Sequence, residues 1–140
     1  MGSERIITFE TAVCGKPVLE KQSRFLACGV PLSGKDAINA TVQAATKRFR
    51  MDKAGQLSWA CRLADGTELK SDGGEPGAGK CILEVMNGMN AVDCIVIVAR
   101  WYGGKHLGGM RFRIYRESAR ELLAEQGTGN GGQDASVHRS

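Results

Sequence analysis

Two glycine-rich stretches contain the residue types and spacings most suited to chemistry. The first, residues 74–81, reads Gly-Glu-Pro-Gly-Ala-Gly-Lys-Cys and follows the pattern of a phosphate-binding loop up to its last position. That position requires a serine or threonine hydroxyl for magnesium, and the Cys81 thiol is a poor ligand for a hard cation. Glu75 would also place a negative charge inside the phosphate cradle. We therefore expect neither nucleotide nor cofactor here, but a glycine-rich turn that opens a helix.

The second stretch, within residues 100–120, is basic and aromatic. Its six basic side chains are Arg100, Lys105, Arg111, Arg113, Arg116 and Arg120, opposed by one acid, Glu117. This segment carries a net charge of +5 within a chain of net charge +4, and it contains Trp101, Tyr102, Phe112 and Tyr115. Arginines beside aromatic residues suit phosphate pairing and base stacking, which favours a nucleic-acid contact. A solvated basic face above an aromatic core explains the composition equally well.

The remaining reactive side chains do not form a recognisable catalytic or metal-binding set. A cysteine–histidine pair would need one of the cysteines beside His106, but no nucleophile signature surrounds them. The acids between Asp65 and Glu75 are typical of solvated turns. We therefore predict that the chain is not an enzyme and that it has no metal site.

The elements that must position these stretches follow from apolar spacing. Strands are predicted at residues 4–13, 23–30 and 56–64, and the unbroken apolar run Cys94–Ala99 predicts a central strand buried on both faces. Helices are predicted over residues 34–50, around Ile82–Met89 with an end near Gly88–Asn90, and from Phe112 onward. In the last helix one apolar face is formed by Phe112, Tyr115, Ala119 and Leu122. This order predicts an α+β two-layer sandwich with helices on one face. One domain should span residues 1–126, followed by a disordered tail at 127–140.

Composition also suggests where the chain works. Its longest apolar run is far shorter than the roughly 18 residues of a membrane-spanning helix. Charged residues interrupt every candidate signal-peptide core near the N-terminus. The five cysteines are widely spaced and odd in number, as expected for reduced thiols. We therefore expect a cytoplasmic protein.

One motif carries a resemblance to a known family. Residues 100–108 read Arg-Trp-Tyr-Gly-Gly-Lys-His-Leu-Gly and resemble the signature of the IMPACT proteins and their bacterial relatives of the YigZ type. The following Arg111-Phe112 pair is similar to the eukaryotic branch. Two weaker blocks match as well: residues 72–75 with Ala78-Gly79, and the set Lys21, Ser23 and Phe25. The blocks occur in family order, so the resemblance covers about residues 17–125.

The resemblance implies a fold like the second domain of a small-subunit ribosomal protein, with a four-stranded mixed sheet backed by helices. It also implies a regulator of translation in the starvation response, acting through a protein partner or the ribosome. General nucleic-acid (RNA) binding is the alternative, and an enzyme acting at the two glycine-rich loops is the third hypothesis, which we rank below both. Gln56 stands where the family usually has a histidine, and we expect no counterpart of the family's RWD domain within these residues. The candidate binding residues are Arg100, Trp101, Tyr102, Gly103, Gly104, Lys105, His106, Arg111, Arg113, Arg116, Asp72 and Glu75.

Overall fold

A computed structural model of the chain describes residues 5–130, which form eight strands and three α-helices. In chain order these are β1 (Ile6–Thr8), β2 (Val13–Cys14), β3 (Val18–Glu20), β4 (Ser23–Pro31), a 3₁₀ turn (Lys35–Ala37), α1 (Ile38–Arg48), β5 (Gln56–Arg62), β6 (Glu68–Ser71), α2 (Ala78–Met89), β7 (Cys94–Trp101), α3 (Met110–Gln126) and β8 (Thr128–Asn130). The α+β class predicted from the sequence is confirmed.

The main sheet is built around β7. Its strands lie in the order β2-β4-β7-β5-β6, and β3 pairs with β4 beside β2. All of these pairings are antiparallel. Seven of the eight residues of β7 are buried, because its apolar run has no polar alternation and both of its faces are covered. The buried central strand predicted for Cys94–Ala99 is therefore present.

The two faces of the sheet carry separate hydrophobic cores. On one face Val96 and Val98 pack with side chains of α2 and α3. On the other face Ile95 and Ile97 pack with Ile38 and other residues of the α1 side. The expectation that all helices share one face was wrong on this point. A central strand that is apolar on both sides must be covered on both sides, and α1 covers the second.

The strand count also exceeds the expectation. A four-stranded mixed sheet was predicted, whereas six antiparallel strands form the main sheet. β6 was missed because its exposed sequence, Glu-Leu-Lys-Ser, lacks a buried face. Residues 128–130, assigned to a disordered tail, form β8 and pair with Ile6–Thr8 of β1. The rest of that tail, residues 131–140, lies outside the described residues.

Within residues 5–130, every helix is too short or too polar to cross a lipid bilayer.

Candidate functional site

A buried ion pair lies where β7 meets the first glycine-rich loop. Glu75, from that loop, is 6% exposed, and Arg100, from the end of β7, is 5% exposed. The Nη1 group of Arg100 donates to Oε2 of Glu75, and the Tyr115 hydroxyl donates to Oε1. The Nε atom of Arg111 lies 3.2 Å from Oε2. The buried carboxylate therefore has two cationic partners and one neutral donor, which compensate the loss of its hydration.

The first glycine-rich loop directs Glu75 inward. Gly74 and Gly77, on either side of it, have φ angles of +92° and +94°, which favour glycine. The Oδ1 atom of Asp72 accepts a hydrogen bond of 2.9 Å from the Gly79 N–H in the first turn of α2. Asp72 therefore holds the loop against the helix N-terminus, where a negative charge is favoured. Its role is to position the loop that carries Glu75.

Arg100 is held from three sides. Its neighbours across the sheet are Phe25 on β4 and Gln56 on β5. The guanidinium carbon lies 5.4 Å from the Phe25 ring centroid, and Nη2 lies 3.4 Å from the Ser23 hydroxyl. The same hydroxyl accepts a hydrogen bond of 3.3 Å from the Gly103 N–H. Ser23 and Phe25, two members of the weak N-terminal motif, therefore support Arg100 and the start of the second glycine-rich loop.

Above the ion pair lies a cleft of about 520 Å³. It brings together five of the predicted binding residues: Glu75, Arg100, Tyr102, His106 and Arg111. Tyr102 is 52% exposed, with the Arg100 guanidinium 5.6 Å from its ring centroid. The ring centroids of Tyr102 and His106 are 6.2 Å apart. The cleft thus has a floor of charged groups that are bonded to one another, and an exposed aromatic rim.

Several predicted binding residues lie elsewhere. Trp101 packs on the α1 side of the sheet, with the Arg24 guanidinium 4.6 Å from its ring centroid. Arg116 reaches across to α2, where its Nε atom lies 3.4 Å from Glu84 Oε1. Three residues of the second glycine-rich stretch also lie outside the cleft lining: Gly103 is partly buried, and Gly104 and Lys105 are exposed. Arg113 is also exposed, one turn before Arg116.

Sequence reasoning missed three contributors to the site. Tyr115 was assigned to the apolar face of the last helix, and its bond to Glu75 depends on tertiary structure. Gln56 was noted only as a replacement for a family histidine, yet it lines the cleft beside Arg100. Ser23 was quoted as a motif residue without a role. The only available signal for Gln56 and Ser23 was the resemblance itself.

The charged groups at the floor of the cleft are bonded to one another. Because the Glu75 carboxylate already accepts from Arg100 and Tyr115, it is not a free general base. The polar atoms Gln56 Oε1 and Arg100 Nε are buried without a hydrogen-bond partner among the described residues. Tyr102, His106 and Arg111 are the lining side chains with appreciable exposure and hydrogen-bonding or stacking capacity. Of these, Tyr102 and His106 lie apart from the Glu75 carboxylate, whereas Arg111 also contacts it.

Tyr115 predicts a specific pH dependence of stability. Burial first, and then the negatively charged Glu75, raise the pKa of Tyr115 far above its usual value of about 10. Above that pH the unfolded chain loses the phenolic proton while the folded chain retains it, so unfolding becomes easier. We expect the stability advantage of the wild type over Tyr115→Phe to shrink between about pH 10 and pH 11. Urea unfolding of both proteins at each pH measures this difference in the free energy of unfolding.

The same comparison between about pH 7 and pH 9 is the control, because neither state of Tyr115 titrates there. A difference between the two proteins that stays constant up to pH 11 would contradict the buried, carboxylate-bound phenol.

The chain is similar to known proteins over most of its length. The model of the Impact N-terminal domain family matches residues 21–123. "Protein IMPACT homolog" of Caenorhabditis elegans is 45% identical over 124 residues, which cover 82% of this chain and 48% of that protein. "Protein IMPACT homolog" of Saccharomyces cerevisiae is 30% identical, with 85% and 48% covered. The chain therefore spans about half the length of these relatives.

Two solved structures are similar. One, described as a hypothetical protein, has a TM-score of 0.75 at 23% identity and covers 91% of this chain and 64% of its own, which is a likeness of fold alone. The other is the two-domain translational regulator Yih1, with a TM-score of 0.55 and 30% identity over 85% of this chain and 48% of its own. The family match spans most of the sheet, the two helices α2 and α3, and both glycine-rich loops. The chain therefore belongs to the Impact N-terminal domain family.

Proposed function

We propose that this chain is a non-catalytic binding module that acts in the regulation of translation by contacting a protein partner in the cytoplasm. The contact surface, which we call the cleft rim, consists of Tyr102, His106 and Arg111, which line the cleft, together with the exposed cations Lys105 and Arg113, which lie outside its lining. The observation that carries the proposal is that the charged groups of the cleft floor are bonded to one another, whereas the side chains of the rim are exposed. The similar protein Yih1 is a translational regulator, which supports a role of this kind.

The floor argues against catalysis. A general acid or base needs a proton-transfer group within reach of its substrate. Glu75, the buried acid of the site, is engaged by Arg100, Arg111 and Tyr115. Its loop also lacks a hydroxyl at Cys81 for magnesium, so the loop that resembles a phosphate-binding motif serves to present an acid to Arg100. These bonded groups fix the positions of the residues that form the cleft.

The rim argues for a macromolecular contact. Tyr102 is a large side chain left 52% exposed, with the Arg100 guanidinium 5.6 Å from its ring centroid. Tyrosine and arginine are the residue types that most often dominate the binding energy of protein interfaces. Among the residues that line the cleft, only Pro76 and Leu107 are aliphatic, which favours a broad partner over a small apolar ligand.

RNA is the second candidate partner. Lys105 follows the exposed Tyr102 by three residues, and Arg113 lies in the first turn of α3; both are exposed cations. Exposed cations together with an exposed ring suit phosphate pairing with base stacking. The two candidates differ in one respect. An RNA complex loses affinity steeply with salt, by about one unit of log–log slope for each phosphate contact.

A charge-reversal pair tests the rim. Lys105→Glu with Arg113→Glu reverses two exposed cations of the rim, and we expect at least a tenfold loss in affinity-captured partner from cell lysate. Lys47→Glu with Lys53→Glu is the matched control, because it reverses two exposed cations at the end of α1, on the other face of the sheet. Captured proteins are quantified by mass spectrometry, and circular dichroism checks the fold.

Ribonuclease treatment separates the candidates. Capture that survives ribonuclease but disappears in the rim variant supports a protein partner. Capture that ribonuclease abolishes supports RNA, and the salt slope of the rim variant should then fall by about two units. Equal capture by the rim variant, the control variant and the wild type would show that the rim is not the contact surface.

A further inference from the structure

The edge of the sheet carries two thiols that face each other. We propose that Cys14 and Cys28 form a redox-active pair: a hydroperoxide oxidises them to a disulfide, and a thiol reductant restores both thiols. This pair lies on β2 and β4, and the proposal is independent of the function proposed for the cleft rim.

The register of the two strands brings the thiols together. Cys14 is the cross-strand partner of Cys28 in the antiparallel β2–β4 pair. The next pair along, Gly15 and Ala27, is joined by a hydrogen bond of 2.8 Å from the Gly15 N–H. Hydrogen-bonded and non-hydrogen-bonded pairs alternate along such a ladder, so Cys14 and Cys28 form a non-hydrogen-bonded pair. Their Cα atoms are then separated by about 4.5 Å, which falls within the range that a disulfide bridges, about 4.4–6.8 Å.

The two side chains point to the same face of the sheet, because opposite residues of an antiparallel pair share a face. Both belong to the core on the α1 side. Burial, together with the neighbouring Cys14 thiol, raises the pKa of Cys28 to about 12, which is consistent with two sulfurs in one small space. β2 is an edge strand, so it has neighbours on one side only and can adjust its distance to β4.

The other cysteines have no such arrangement. Cys61 lies opposite Leu69 and Ile95. Cys94 lies opposite Pro31 and Arg62, and Cys81 lies on α2. All five cysteines fall within residues 5–130, and among them only Cys14 and Cys28 are cross-strand partners.

The chemistry runs in two steps, and Cys14 begins it. Cys14 is partly exposed, whereas Cys28 is fully buried and stays protonated. The Cys14 thiolate attacks an oxygen of the hydroperoxide, the O–O bond breaks, and a sulfenic acid forms with release of water or an alcohol. The Cys28 sulfur then attacks the Cys14 sulfur. An S–S bond forms, the S–O bond breaks, and the hydroxide leaves as water with the proton of Cys28.

The two thiols together supply the two electrons that reduce the peroxide. The product joins the edge strand covalently to its neighbour and closes a chain loop that contains β3. Such a loop restricts the unfolded chain, so the oxidised protein should melt at a temperature about 5 °C or more above the reduced protein.

The test uses the purified full-length chain and hydrogen peroxide. Trypsin places Cys14 and Cys28 in different peptides, 6–21 and 25–35, because Lys21 and Arg24 separate them. Non-reducing mass spectrometry should detect these two peptides joined after oxidation and separate after dithiothreitol. The protein should lose two of its five titratable thiols, and the melting temperature should rise and then return.

Two variants complete the experiment. Cys14→Ser should remove both the joined peptide and the shift in melting temperature. Cys61→Ala, which alters a buried thiol on the same face, should keep both. The proposal is overturned if the wild type, under conditions that consume its Cys14 thiol, yields sulfinic or sulfonic acid without the joined peptide, or joins Cys14 to a different cysteine.

Discussion

Replacing Glu75 by glutamine is expected to lower the free energy of unfolding by about 3–5 kcal/mol, because it leaves a buried charge without its counterion. Glu75 and Arg100 are both more than nine-tenths buried, so water cannot take over the lost contact. The Tyr115 hydroxyl and the Arg111 guanidinium lose the same charged acceptor. Chemical unfolding monitored by circular dichroism measures the difference.

A second ion pair of this protein serves as the control. Glu84 and Arg116 join α2 to α3 with an N–O distance of 3.4 Å, but their side chains are 49% and 42% exposed. Exposed pairs contribute about 0–1 kcal/mol, so Glu84→Gln should change stability little. If Glu75→Gln costs no more than Glu84→Gln, the buried pair does not stabilise the cleft floor.

A double variant separates a lost charge pair from lost packing. Glu75→Gln combined with Arg100→Met removes both charges, so the combined loss should be smaller than the sum of the two single losses. Additive losses would indicate that the two side chains act independently. The prediction thus concerns the coupling of Glu75 to Arg100, and not only their burial.

The central part of the fold could be predicted from the sequence because its signal is local. The run Cys94–Ala99 is apolar without alternation, and such a run is typical of a strand that is covered on both faces. The end of α2 was predicted near Gly88–Asn90, and the helix ends at Met89, with Asn90 in the left-handed region. These features depend on a few neighbouring residues.

The features that were missed depend on distant residues. The side of the sheet on which α1 packs is set by how the chain passes from β4 to β5, and the spacing of Ile38 and Ala45 carries no information about it. β6 and β8 are held mainly by backbone pairing with β5 and β1. Short polar strands of this kind have no apolar pattern to reveal them.

The site was predicted in its parts but not in its assembly. Arg100 and Glu75 were both candidates, yet their pairing joins residues 25 positions apart through the glycine-rich loop. Tyr115 has the spacing of a core residue, and it is one, with no exposure at all. Its hydroxyl becomes part of the site only because α3 packs against that loop. A resemblance in sequence identifies such residues before geometry can assign their roles.

The second large effect is expected at Gly103, where alanine should cost roughly 3 kcal/mol of unfolding free energy. A Cβ atom at this position would lie 1.9 Å from the backbone oxygen of Gln22. A backbone atom cannot rotate away as the end of a side chain can, so β7 or the β3–β4 turn must move. That movement also disturbs the bond between the Gly103 N–H and Ser23, which supports Arg100.

Two other glycines provide matched controls for Gly103→Ala. Gly104 has a φ of +89° but open space around it, so Gly104→Ala should cost about 1 kcal/mol through backbone strain alone. Gly88 lies within α2, and an added Cβ meets nothing within 4 Å, so Gly88→Ala should stabilise the protein by about 0.5–1 kcal/mol. Thermal and urea unfolding of the three variants should therefore rank Gly103→Ala lowest and Gly88→Ala highest. If Gly103→Ala were as stable as Gly104→Ala, the close approach of the second glycine-rich loop to Gln22 could not be what holds that loop beside Arg100.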